Sequence, residues 1–130
     1  MKGFHLNIEK ATLENEDYRR VLYTAPHMQL VLMTLQPGEE IGEEVHHLEQ
    51  FIRFEAGEAK VILDGVETLM KADEAVIIPE GTLHNVINVG VGKLKLYTIY
   101  APPHHRNGIE RKTREEAMAD GPEFDGKTTE

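Results

Sequence analysis

The stretch that decides the fold runs over residues 37–57, PGEEIGEEVHHLEQFIRFEAG. In it Gly38 is followed by five residues and Glu44, one residue and His46, three residues and Gln50, then six residues and Gly57. A second stretch, residues 73–88, reads DEAVIIPEGTLHNVIN. Here five residues separate Asp73 from Pro79, Gly81 follows, two residues precede His84 and three more precede Asn88. Both stretches set polar, ligand-capable side chains on short apolar runs punctuated by Gly and Pro, which is the pattern of strands and turns.

Working outward, runs rich in Val, Ile, Leu, Phe, Tyr and Thr predict strands at residues 4–9, 20–24, 28–36, 41–47, 51–56, 59–63, 67–70, 75–78, 84–88 and 94–100. Asp64-Gly65 between apolar runs reads as a tight hairpin. Pro37-Gly38, Pro79-Glu80-Gly81 and Gly90-Val91-Gly92 supply the other turns. Many short strands without a long helical period predict an all-β antiparallel sandwich or barrel. Ala101-Pro102-Pro103 ends the last strand, because proline has no N–H to pair. Thr113 with Glu116 forms a capping-box pattern that opens a short helix over 114–120, stopped by Gly121-Pro122. The polar residues 123–130 would fray unless something holds them.

In spacing and in strand pattern the chain resembles the cupin superfamily over residues 28–100. The cupin motifs are Gly, five residues, His, one residue, His, three or four residues, Glu, six residues, Gly; then Gly, five residues, Pro, one residue, Gly, two residues, His, three residues, Asn. Glu43-Glu44-Val45-His46, Gln50-Phe51-Ile52-Arg53 and Tyr97-Thr98-Ile99-Tyr100-Ala101-Pro102-Pro103-His104-His105 are similar to the branch of small single-domain cupins labelled mannose-6-phosphate isomerase-like. Glu44 stands where the family's first His belongs, Gln50 replaces its Glu, and Asp73 replaces the Gly that opens the second motif. The resemblance implies one domain over residues 1–130, a double-stranded β-helix or jelly-roll barrel with a short C-terminal helix and tail at 113–130. It also implies a homodimer joined through an N-terminal strand, for which residues 4–9 are available.

The site so implied is Glu44, His46, Gln50 and His84. Alternate residues of a strand face one side, so Glu44 and His46 are expected to point together into the barrel, with Gln50 and His84 arriving from neighbouring strands. Two imidazoles and one carboxylate suit one divalent transition metal ion, Fe, Mn, Ni, Co or Zn, with the Gln50 amide as a weaker neutral donor. The ion would keep about one positive charge beside a single carboxylate, which favours an anionic or enolisable oxygen on a small-molecule substrate. The alternative without metal is a hydrogen-bonded polar cluster inside a barrel. Phe54 and Tyr100 are candidates for the wall of a substrate cavity, although plain core is the simpler role, and Glu44 is the one candidate catalytic group. Arg53, of opposite parity to Gln50, should point away. His47 is expected outside, and His104 and His105 in a surface loop or a flap at the barrel mouth.

The chain has 130 residues, 23 acidic and 14 basic, for a formal net charge of −9. That acidity argues against nucleic-acid binding, which needs clustered Lys and Arg. The absence of cysteine removes disulfides, thiolate ligands and thiol nucleophiles together. No apolar run approaches the ~18 residues of a membrane span, and Met1-Lys2-Gly3-Phe4-His5 lacks the apolar core of a signal peptide, so a cytoplasmic protein is expected. Three functions remain open: a metal-dependent, isomerase-like enzyme on a sugar-derived or other oxygen-containing substrate; an Fe(II) dioxygenase; and a non-catalytic small-ligand-binding module.

Overall fold

The structure, a computed structural model, describes residues 2–130. Met1, the first residue of the expected domain, lies outside them. Six strands form the larger antiparallel sheet: β1 (Arg19–Thr24), β2 (Gln29–Leu35), β3 (Glu49–Ala56), β6 (Ala75–Ile78), β8 (Leu94–Ala101) and β9 (Glu110–Arg111), in the order β6-β3-β8-β2-β1-β9. The smaller sheet is β5 (Val66–Lys71), β4 (Glu58–Leu63) and β7 (His84–Asn88), in the order β5-β4-β7. The two sheets face each other as the expected jelly-roll barrel.

Strand alternation builds the interior. Rows run across the large sheet at Ile52, Thr98 and Val31, and at Phe54, Leu96 and Met33, all of them buried. Ala59, Val61 and Val86 oppose them from the small sheet and join the same core. A further row, Gln50, Tyr100 and Gln29 with Ile78, is mostly polar yet equally buried. The functional end of the barrel starts at that row.

The hairpin joining β4 to β5 turns at Asp64 and Gly65, both with positive φ, as its Asp-Gly pair predicts. Gly57 is required for a different reason. Its φ is +95°, and a Cβ there would stand 2.7 Å from the Lys93 carbonyl oxygen. Helix α2 (Arg114–Ala119) begins where the capping pattern places it, with the Thr113 hydroxyl accepting from the Glu116 amide at 3.1 Å.

Two expected strands are corrected. Residues 4–9 form no strand; helix α1 (Ile8–Glu14) occupies the end of that run. The Asn7 side chain accepts from the Lys10 amide at 3.0 Å and caps the helix, while Phe4 stacks on Tyr23 with ring centroids 5.2 Å apart. Residues 41–47 also form no continuous strand. Gly42, at φ +113°, breaks the extended path, and only Glu40 and Glu44 bridge to β7. The polar tail is held in place. Phe124 donates to the His104 carbonyl at 3.1 Å, Arg106 to that of Pro122 at 3.0 Å and Thr129 to that of Thr24 at 2.9 Å. Among the described residues no helix is long and apolar enough to cross a membrane.

Phe54 has no exposed surface and lies four residues along β3 from Gln50, in the middle of the core. Phe54→Ala is expected to destabilise the fold by about 3–5 kcal/mol, the usual cost of deleting a buried aromatic ring. Urea denaturation checks this. A cost below about 1 kcal/mol would place Phe54 on a loose cavity wall instead.

Candidate functional site

Glu44 and His46 lie on the irregular segment beside β7. The backbones of Glu44 and His84 exchange two hydrogen bonds, each 2.9 Å, which lock the segment alongside the start of β7. The Glu44 carboxylate then meets His46 Nε2 at 2.6 Å. The His84 ring packs edge-on against His46, centroids 4.8 Å apart, and its Nδ1 lies 2.9 Å from the Thr82 carbonyl. That carbonyl takes the ring proton at Nδ1 and leaves Nε2 with its lone pair. Gln50 is buried on β3; its amide nitrogen donates to Thr98 at 3.0 Å, and its oxygen has no protein partner.

The structure adds His104, which sequence reasoning placed in a surface loop or a flap at the barrel mouth. His104 swings back over the barrel end, its ring 4.4 Å from that of His46. Glu44, His46 and His104 offer ligand atoms that all lie within 4.8 Å of one another. That cluster differs from the expected set of Glu44, His46, Gln50 and His84. Glu44 and His46 stand at its centre and His84 at its side, and Gln50 lies next to Tyr100, whose ring packs against His46 at 6.0 Å.

A buried amide puts His104 there. Gln29 is fully buried on β2; its oxygen accepts from the backbone of His104 at 3.2 Å and of His105 at 2.9 Å. Its nitrogen donates to the His105 carbonyl and the Thr24 hydroxyl. The signal in the sequence was a histidine pair directly after a strand whose Tyr100 faces Gln50 and Gln29. His47 is exposed, as alternation suggested. Arg53 points away and pairs with Glu55 at 2.6 Å and Asp73 at 3.1 Å.

The electrostatics leave Glu44 and His104 as lone-pair donors at neutral pH. Burial works to raise the Glu44 carboxyl, but the hydrogen bond from His46 and the nearby His46, His104 and His84 rings outweigh it and hold the group below its ordinary value. Burial, followed by the neighbouring His46, drives His104 down to about 4. Burial and the charge of Arg19 drive His105 down to about 2. Burial pushes the Tyr100 hydroxyl well up, so it stays protonated.

The donor set fits a divalent transition metal: one carboxylate, imidazole nitrogens free of protons, and a neutral amide oxygen, with no sulfur. The buried His46 Nδ1 and Gln50 Oε1 have no protein partner, a sign that this end of the barrel is built for something polar. A cavity of about 350 Å³ opens there, lined by His46, His104, Pro102 and Phe124 among others.

The comparisons agree with this architecture. The cupin domain family model matches residues 31–100. The chain is 42% identical over 125 residues to the uncharacterized protein YrkC of Bacillus subtilis, covering 91% of this chain and 67% of that protein. It is 43% identical over 109 residues to the uncharacterized protein L612 of Acanthamoeba polyphaga mimivirus, covering 79% and 68%. The crystal structure of BH2720 from Bacillus halodurans superposes with a TM-score of 0.90 at 44% identity, covering 92% of this chain and 96% of that one. An RmlC-like cupin from Shewanella frigidimarina shares the fold alone, at TM-score 0.63 and 22% identity, covering 78% and 92%. A family match across more than half the chain, laid over strands that carry both motifs, settles the membership: this protein is a cupin.

Proposed function

We propose that this cupin is a metal-dependent enzyme acting on a small oxygen-containing molecule, with a divalent transition metal held by Glu44, His46 and His104. The observation that carries the reading is the convergence of those three donors within 4.8 Å at the mouth of the barrel. His84 Nε2 and the Gln50 amide oxygen are further donors beside them. Bound there, the ion would supply a Lewis acid for a substrate oxygen.

The chain's own residues set up the rest. Glu44, ionised at neutral pH, is the strongest acceptor in the site and the group suited to take a proton from a bound substrate. His104, neutral at the same pH, offers a second basic nitrogen. Tyr100 stays protonated and packs against the rings of His46, His104 and His105, which it holds in place. Two basic groups side by side at the barrel mouth support proton relocation within a substrate, an isomerase-like reaction. The two-imidazole, one-carboxylate composition favours an Fe(II) dioxygenase as the second reading.

Metal analysis of untagged protein tests the centre. We expect about one divalent ion per chain, and a loss of affinity of at least tenfold in His46→Ala and in His104→Ala. Gln29→Leu should weaken binding in the same direction, because it frees the His104 segment without removing a donor. Wild-type affinity in His104→Ala would exclude that residue from the centre. Oxygen consumption by the Fe(II)-loaded protein with phenolic or diketone substrates would favour the dioxygenase. A protein that takes up no metal would leave the non-catalytic binding module.

The metal-free protein should lose stability on acidification. His104 titrates near 4 when folded against an ordinary 6.5, so between those values the unfolded chain binds the extra proton. Stability from this group is therefore full above about pH 6.5 and declines as pH falls to about 4. His105 shifts in the same direction. Thermal melting in chelator at pH 7 and pH 5 checks this; equal melting temperatures would contradict the burial of these rings.

We also propose a homodimer, through the outer face of the large sheet. With residues 4–9 partly helical, an N-terminal strand exchange is no longer the route. Ile77, Phe51 and Ile99 stand in register across β6, β3 and β8, Leu30 continues the row on β2, and Ile77 is 67% exposed. Light scattering should give twice the 14.7 kDa chain mass, and Phe51→Asp should halve it. A wild-type monomer would refute this.

A further inference from the structure

The cavity at the barrel mouth is walled mainly by apolar side chains. Val45, Leu48, Pro102, Pro103 and Phe124 supply that wall, and His46 and His104 line the same space. Phe124 is the one large apolar side chain of the tail, whose residues 122–130 read PEFDGKTTE. It is half-buried and takes no part in the hydrophobic core of the barrel. Three backbone links hold it in place. Its own amide donates to the His104 carbonyl at 3.1 Å, the Arg106 amide donates to the Pro122 carbonyl at 3.0 Å, and Glu123 bridges to His105. A phenyl ring fixed outside the core, on the wall of a cavity, is placed to meet what enters that cavity.

The fixed charges of the cavity are of one sign. Among the described residues that line it none is Lys or Arg, and the one acid is Glu123. The Glu44 carboxylate stands 2.6 Å from His46 Nε2. Arg106, the basic residue closest in the chain to His104, pairs with Asp125 at 3.5 Å. A carboxylate or phosphate on a ligand would sit beside acid with no cation to balance it, a cost that an uncharged molecule avoids. Size sets a second limit. A cavity of about 150 Å³ already admits benzene. The volume here, about 350 Å³, holds one ring with its substituents.

We propose that this cavity selects an uncharged small molecule with an apolar, ring-sized body and at least one oxygen, and that Phe124 is the residue that determines this specificity. The apolar body packs on Phe124, Pro102, Pro103 and Leu48, which leaves the oxygen to His46 and His104, the polar groups of the same wall. Free sugars, hydroxylated on every face, and sugar phosphates, charged as well, are excluded. The proposal rests on the metal-site reading only for the destination of the oxygen, an ion at Glu44, His46 and His104. Selection of the apolar body by the tail stands without it.

Benzyl alcohol, benzoate and glucose separate the requirements, because benzoate has the ring with a charge and glucose has the oxygens without an apolar face. Each is titrated to about 20 mM into metal-free protein in chelator, at constant ionic strength, and followed by the NMR signals of the backbone amides. Benzyl alcohol should bind and move the amides of His104 and Phe124, and benzoate and glucose should bind at least about fivefold more weakly. Phe124→Ala should lose at least about fivefold in affinity for benzyl alcohol. Phe124→Leu, which restores an apolar side chain, should return to within about twofold of the wild type. No shift of those amides with benzyl alcohol, equal binding of benzoate or glucose, an undiminished affinity in Phe124→Ala, or a loss there that Phe124→Leu fails to recover would overturn the proposal. The zinc affinity of Phe124→Ala should match the wild type, because the ring carries no donor; a drop would make Phe124 a support for His104 and overturn its role as the selecting wall. Failure of the wild type to bind zinc would refute the metal centre and leave selection by the tail standing.

Discussion

The amide of Gln29 is closed off from solvent, and both of its ends are occupied by hydrogen bonds to the chain around it. It links β2 to the backbone just beyond β8, where two prolines prevent the strand from continuing. Without that link the segment would carry free N–H groups and no reason to fold inward. With it, the His104 ring is laid against His46 and the His105 ring against Tyr100. The place of both histidines at the barrel mouth follows from this one bridge between a strand and a turn.

The mouth is built against the grain of stability. Among the described residues, four buried side-chain atoms lack a protein partner: Arg19 Nε, His46 Nδ1, Gln50 Oε1 and His105 Nε2. An unmet buried polar group costs about 1–3 kcal/mol when it stays dry. Four such groups are comparable to the whole net stability of a domain, about 5–15 kcal/mol. Three of them, on His46, Gln50 and His105, belong to residues that pack or pair with Tyr100, while the rows at Ile52 and Phe54 are fully buried and apolar except for Thr98. The barrel thus divides into a lower half that stabilises and an upper half that keeps unmet polar groups.

This division also explains what the sequence made legible. The apolar half was readable because Val, Ile and Leu alternate with polar residues, and Gly and Pro mark where each strand stops. The Asp64-Gly65 hairpin, the capped helix α2 and the inward parity of Gln50 follow from local rules of that kind. His104 did not, because its position depends on hydrogen bonds to a residue 75 positions earlier. Residues 4–9 alternate apolar and polar like a strand, yet Asn7 caps a helix there, and capping overrode periodicity. Arg19 was hidden because the sequence reading began the first strand at residue 20, one residue late, which leaves Arg19 off the strand and without a facing.

The donors come from two segments fixed by unrelated means. Glu44 and His46 are set by backbone pairing with β7, on the small sheet. His104 is set by Gln29 on the large sheet, and by the tail, where Phe124 donates to its carbonyl and Glu123 bridges to His105. The Thr24 hydroxyl that receives Gln29 sits on a residue whose backbone also binds Thr129, so the tail, β1 and the histidine loop close into one hydrogen-bonded circuit. The cluster therefore exists only when the two sheets and the tail are in place together. A ligand that bridges Glu44 and His104 ties one sheet to the other, and by mass action its binding free energy stabilises the folded barrel as a unit.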